Sequence, residues 1–372
     1  MDAARSILMT LGIVLHTANI YRAEPGWRLH DPSGGPIFDL IVVVIHTFRM
    51  PAFFIIAGFF CMLTLIRYGP DLFYGRRLVR IGVPLLFVGL VLNTIQAFVT
   101  GKPEAGPLTL GYWLSDGGWI SHLWFLLHLI VYFTLVLILA KWRAVHGVLR
   151  ALRDLAGRIG GGPGGLALLV LLLLPLITTG LSVSGKALPF VNDPILGLFT
   201  TRDLFHYGLF FGFGAILFFE RDLLAAFSAP PLWLLAVILP AAAGALSLAD
   251  ADPALLKLAQ AYAYAVTIWI SCALVFFLFD KGFSRPSPGF MKMADASYTI
   301  YLLHHLLVIL FGLALLETAL PASVKFTLIV TVTFALTYGI HRSLVRRIPL
   351  LHFLLNGVYH SPPLASPADS PA

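Results

Sequence analysis

From residue 5 to residue 341 one pattern keeps returning: close to twenty apolar residues, then a short loop of Pro, Gly or charge. Ten such stretches stand at 5–21, 38–66, 78–100, 119–140, 166–183, 204–219, 232–249, 259–279, 295–316 and 323–341. Each approaches the ~20 residues with which a helix, rising 1.5 Å per residue, crosses about 30 Å of hydrocarbon. Strands with free edges would leave backbone groups unpaired in lipid, so the spacing predicts an all-α, polytopic transmembrane helix bundle of about ten spans.

Composition agrees where the argument needs it. Among the 372 residues 59% are hydrophobic and only 12% charged, whereas a water-facing domain carries about 25% charge. A soluble enzyme, a disordered tail protein and a nucleic-acid binder are set aside. Cys61 and Cys272 both lie in apolar runs, with neither disulfide nor metal-ligand spacing, so no metal site is expected. The first stretch lacks a charged n-region and a small-residue cleavage site, and it reads as a span rather than a removed signal.

Seventeen of the 25 Lys and Arg residues fall in loops on one side of this arrangement, seven on the other, and Arg49 sits inside a span. Positive loops stay in the cytoplasm, which places both termini there and explains the net charge of +7 without a polyanion partner. One membrane domain is expected over 1–357, with a flexible glycine run at 157–165 (GRIGGGPGG) splitting the bundle into halves. A Pro/Ser/Ala-rich, disordered tail is expected over 358–372.

Ionisable groups inside spans cost a few kcal/mol each and need a reason. Arg5 and His16 stand eleven residues apart, three helical turns, on one face and separated by a rise of about 16 Å. Asp2, at i−3 from Arg5, is placed to hold that guanidinium. His16 reads either as a proton acceptor beyond the midplane or as a core histidine satisfied by a carbonyl. His46 and Arg49 share a face just before Pro51, which is expected to kink an overlong second span. Arg49 lies about 16 Å deep, too far in to snorkel, facing either an anionic cavity or an ion-pair partner. His122 and Trp124 stand near the outer end of the fourth span. His304 and His305 lie in the ninth and point about 100° apart, so at most one is expected to share a site with His16. Histidines from four spans at one depth suit general base chemistry. Near the positive side, Arg77 and Arg80 form a forked patch suited either to phosphates or simply to setting topology.

Those residues carry a resemblance. Asp2…Arg5…His16, Ile45-His46-Thr47-Phe48-Arg49-Met50, Phe53-Phe54-Ile55-Ile56-Ala57-Gly58, Arg77-x-x-Arg80, Ser121-His122-Leu123-Trp124-Phe125-Leu126, Ile300-Tyr301-Leu302-x-His304-His305 and Arg347-Ile348-Pro349-Leu350-Leu351 run through almost the whole chain. Together they resemble the glucans biosynthesis protein C family of succinyltransferases, a branch of the acyltransferase-3 superfamily. The resemblance implies a ten-span enzyme of the bacterial inner membrane that moves an acyl group, succinyl foremost, from acyl-coenzyme A to glucose hydroxyls of a periplasmic glucan. It implies no permanently bound cofactor, with acyl-coenzyme A as co-substrate, and other glucan-biosynthesis proteins as possible partners. His16 becomes the base with Arg5 and Asp2 behind it, while Arg77 and Arg80 face the coenzyme phosphates. His122 and Trp124 face the glucan, with His304 or His305 beside them. Arg49, with His46, is expected to receive the succinyl carboxylate, because an unpaired buried charge is costly. Rival readings are an O-acetyltransferase of another polysaccharide or glycoside, a transporter, and a bis-histidine haem protein.

Overall fold

Large apolar side chains point outward all round the bundle. Ile37, Leu40 and Val43 on one helix, Leu86, Leu90 and Phe98 on the next, and Ile138, Leu278 and Leu328 further on are all exposed. A water-soluble chain does not expose apolar surface on that scale, whereas lipid tails cover it. The computed structural model describes residues 2–100, 118–141, 145–195, 198–231, 233, 236, 253–282 and 288–358.

Fourteen helices can be traced among these residues. They are α1 (Asp2–Ile20), α2 (Pro36–Tyr68), α3 (Pro70–Phe87), α4 (Asn93–Val99), α5 (Trp124–Lys141), α6 (Val145–Gly160), α7 (Pro163–Leu168), α8 (Leu174–Ala187), α9 (Thr201–Phe219), α10 (Arg221–Ser228), α11 (Pro253–Gly282), α12 (Pro288–Leu316), α13 (Ala322–Ile340) and α14 (Pro349–Asn356). Short π turns join α3 to α4 and α7 to α8, and another extends α13. A two-residue antiparallel pair, β1 (Pro194–Ile195) with β2 (Phe199–Thr200), is the one sheet among the described residues. Eight helical stretches are long and apolar enough to cross a membrane, and they coincide with eight expected spans. The expected span at 204–219 is the helix α9, opened by Arg202, Asp203 and His206. The expected span at 232–249 and the tail beyond Val358 lie largely or wholly outside the described residues.

Backbones approach closely where small residues allow it. A side chain at Gly58 of α2 would collide with the Phe211 carbonyl of α9, and one at Gly214 of α9 with the Ile55 carbonyl of α2. This reciprocal pair lets α2 and α9 form the most extensive helix contact among the described residues, followed by α1 with α12. α2 continues through Pro51 as one helix of 33 residues, about 50 Å long.

The glycine run at 157–165 is not the flexible divider expected from composition. Its first residues, Gly157 to Gly160, form the last turn of α6. The turn shrinks to Gly161 and Gly162, and α7 begins at once. Side chains at Gly157 and Gly165 would meet Glu220 and the Ile159 carbonyl, so these glycines serve close packing. Arg153 ties α6 to Glu220 at 3.1 Å.

Two apolar clusters fill the interior. One joins α2, α3, α5, α9 and α11; the other joins the far half of α1 to the α1–α2 strap, the start of α2, α12 and α13. α1, α2 and α12 contribute to both: Leu8, Phe54 and Tyr301 belong to the first, Ile13, Val42 and Val308 to the second. Among these apolar residues α1 carries the partly exposed His16 and α12 the buried His304–His305 pair.

Candidate active site

α1 presents His16 one turn beyond Gly12, whose missing side chain opens a space. A Cβ on Gly12 would stand 2.8 Å from Nη1 of Arg49 and 3.0 Å from Nε2 of His304. Arg49 of α2 is buried. No carboxylate among the described residues lies within ion-pair distance of it, and its Nε has no hydrogen-bond partner.

Four imidazoles pack together beside that guanidinium. The His16 ring lies 5.3 Å from His304 and 4.6 Å, edge to face, from His305. His122 stacks flat on His305 at 4.5 Å and stands edge-on to His304 at 5.6 Å. The expectation that only one of His304 and His305 reaches His16 is therefore corrected. The 100° between consecutive helical residues lets the pair straddle the His16 ring, so both touch it.

Backbone and amide acceptors fix the flanking rings. Nδ1 of His304 donates to the Tyr301 carbonyl at 2.5 Å, and Nδ1 of His305 donates to Oε1 of Gln96 at 2.6 Å. An uncharged imidazole that donates from Nδ1 carries its lone pair on Nε2, so both rings keep an acceptor nitrogen. The His122 backbone is gripped from several sides. Tyr301 Oη donates to its carbonyl at 2.5 Å, and Asn93 Nδ2 donates to the carbonyls of Trp119 and Ile120. Ser121 beside it holds φ 44°, the one positive φ outside glycine among the described residues, a strained conformation of the kind that collects at working sites.

The strap between α1 and α2 covers this cluster. Trp27 stacks on His16 at 5.7 Å and meets His305 edge-on at 5.4 Å. Arg28 Nη2 donates to Ser121 Oγ at 3.2 Å. Asp31, buried, is held by Lys325 Nζ of α13 at 2.8 Å and by the Ser33 hydroxyl at 2.6 Å. Burial opposes the charged Asp31 carboxylate, but the hydrogen bonds from Lys325 and Ser33 outweigh it and hold its pKa below the usual carboxylate value.

Buried polar atoms are almost always paired, yet here unpaired ones converge. His16 Nδ1, both His122 nitrogens, His304 Nε2, Arg49 Nε and Gln96 Nε2 all lack partners among the described residues. His16 alone of the four histidines is partly exposed. The arrangement offers a reachable proton acceptor, flanking lone pairs and a guanidinium with no carboxylate partner among the described residues, which are the elements for activating a hydroxyl beside an anionic group. Among the described residues no group of three or more His, Cys, Asp or Glu is placed to hold a metal ion. Cys61 and Cys272 are buried free thiols.

Other expected site residues lie elsewhere. His46 is exposed on the flank of α2, turned some 60° from Arg49 yet still within electrostatic range of it. Trp124 packs with Tyr207, His128 and Phe54; the indole on His16 is Trp27. Arg5 sits toward the opposite end of α1, over the Phe60 ring at 6.0 Å. Arg77 donates to Thr64 Oγ1 at 3.0 Å and lies within electrostatic range of Arg80 and Arg5. Arg80 is exposed, and its backbone is pressed by Gly357, the left-handed cap of α14. The side chain of Asp2 lies outside the described residues. Sequence reasoning missed Gly12, Trp27, Arg28 and Gln96. Only Gln96, a polar residue late in an apolar run, carried any signal.

A model of the acyltransferase domain family matches residues 1–342. Glucans biosynthesis protein C of Escherichia coli strain K12 is 30% identical over 375 aligned residues, covering 96% of this chain and 94% of that protein. The protein of the same name from Escherichia coli O9:H4 strain HS shows the same identity and coverage. No solved structure matches.

Proposed function

The chain belongs to the acyltransferase domain family, and from that premise we propose that it transfers succinyl from succinyl-coenzyme A to glucose hydroxyls of a periplasmic glucan. It is a membrane O-acyltransferase; the donor, the acceptor, the ten-span topology with cytoplasmic termini and the inner-membrane location are our reading. The observation that carries it is the convergence of unpaired nitrogens on His16, beside a guanidinium with no carboxylate partner among the described residues.

In this reading the acceptor hydroxyl gives its proton to His16 as its oxygen attacks the thioester carbonyl. The new ester C–O bond forms, the C–S bond breaks, and the imidazolium returns the proton to the departing thiolate. Arg49 receives the distal carboxylate of succinyl, an anion that would otherwise be buried unpaired. Coenzyme phosphates meet Arg80 and Arg5, with Arg77 behind them on Thr64. The glucan approaches from the strap side, where Trp27 rather than Trp124 offers an aromatic face next to the base.

The experiment is direct. Purified protein receives radiolabelled succinyl- or acetyl-coenzyme A together with linear or cyclic glucan. Label from the succinyl donor appears in glucan with one free thiol per ester formed. Preference for acetyl would transfer the chain to the O-acetyltransferase reading; movement of glucan across vesicles without acylation would make it a transporter.

A further inference from the structure

α3 does not run straight into α4. The π turn Val88–Leu92 inserts an extra residue, and such a bulge rotates the helix beyond it. The first turn of α4 thereby carries Asn93 and Gln96, three residues apart on one face and both buried. Asn93 is used up on the carbonyls of Trp119 and Ile120. Gln96 is not. Its Oε1 accepts from His305 at 2.6 Å, while its Nε2 is buried with no partner among the described residues. A buried amide with one half unsatisfied costs free energy, and an apolar residue would pack there without that cost. What distinguishes glutamine at this position is the acceptor it offers to His305.

We infer that Gln96 is a positioning residue for acyl transfer, acting through His305, an inference that rests on the acyltransferase reading. By accepting from Nδ1–H, Gln96 holds His305 in the tautomer whose lone pair is on Nε2. The same bond sets the plane of a ring that touches three others: His16 at 4.6 Å, His122 at 4.5 Å and Trp27 at 5.4 Å. When His16 takes the hydroxyl proton it becomes a cation with two N–H groups. The His305 lone pair, already oriented, is the acceptor for the second of them, and no proton leaves the pair. The logic is that of a base steadied by a third group, with an amide and a second imidazole in place of a carboxylate.

The test uses the full-length protein in detergent and steady-state succinyl transfer to glucan. Gln96→Leu removes the acceptor. Its kcat is expected to fall about 10- to 100-fold, the size of loss seen when a metal-ligating histidine loses its orienting partner, with KM for donor and glucan little changed. Gln96→Glu restores an acceptor and recovers most of kcat. Should the leucine variant fail to accumulate, Gln96→Asn withdraws the acceptor by one methylene and serves in its place. A wild-type kcat in the acceptor-less variant overturns the inference, as does a Gln96→Glu enzyme no faster than Gln96→Leu, or a loss confined to donor KM. Wild-type protein that acylates nothing defeats the functional reading and this inference with it; active wild type with an indifferent Gln96 defeats the inference alone.

Discussion

Gly12 lies beneath Arg49, so close that a methyl group on residue 12 would stand 2.8 Å from Nη1 of the guanidinium. It would also stand 3.0 Å from Nε2 of His304. The absence of a side chain on α1 is what lets an α2 arginine and an α12 histidine meet next to His16.

Gly12→Ala therefore displaces the tip of a flexible arginine and tilts His304 without opposing helix formation, since alanine is the better helix former. The variant is expected to fold and to keep its melting temperature within a few degrees, while succinyl transfer falls severely. Normal transfer by Gly12→Ala would show that Arg49 and His304 need not hold their observed positions.

Arg49→Leu removes the guanidinium that has no carboxylate partner among the described residues. Transfer from succinyl-coenzyme A is expected to drop much more than transfer from acetyl-coenzyme A, read as the ratio of kcat/KM for the two donors. An equal loss with both donors would assign Arg49 to folding or to general catalysis.

The Asp31–Lys325 pair pins the strap that carries Trp27 and Arg28. Both side chains are buried, so Lys325→Met leaves the Asp31 carboxylate in the interior without its cation, at a cost of about 3–5 kcal/mol. Its melting temperature should fall clearly, and the double variant Asp31→Asn with Lys325→Met should recover part of the loss. The Asp31 pKa is held below its unfolded value. The stability it contributes is therefore present above the unfolded value of about 3.9. It is lost as pH falls through the lower folded value. Thermal melts of wild type should show an acid-dependent decline in that window that Asp31→Asn lacks; identical pH profiles would remove the pair from this role.

Trp27 closes the strap side of His16. Trp27→Ala should admit water to the base, raising hydrolysis of the acyl donor relative to transfer to glucan, and Trp27→Phe should restore the ratio. An unchanged hydrolysis-to-transfer ratio in Trp27→Ala would place the indole outside the reaction's path.

The helices could be read from the chain because lipid imposes one length and one polarity on each span. The histidines and Arg49 could be read for the same reason: an ionisable group in an apolar run is expensive and therefore conspicuous. His46 was as conspicuous as Arg49 yet faces outward, because periodicity gives a relative face and not which neighbour that face meets. Trp27 escaped because loop aromatics have no periodic signature. Gly12 escaped because its role is the space it leaves, and that space exists only once α2 and α12 are packed against α1. The run at 157–165 misled because glycine signals freedom in a loop and closeness in a helix contact, and composition does not separate the two.

The rate of labelled succinyl transfer to glucan by purified His16→Ala, beside wild type and with succinyl-coenzyme A binding measured on the same samples, bears most directly on the site. General base catalysis contributes about 10²- to 10⁴-fold, so the variant should bind the donor normally and transfer slower by that margin. Transfer at the wild-type rate by a folded, donor-binding His16→Ala protein would contradict the assignment of His16 as the base.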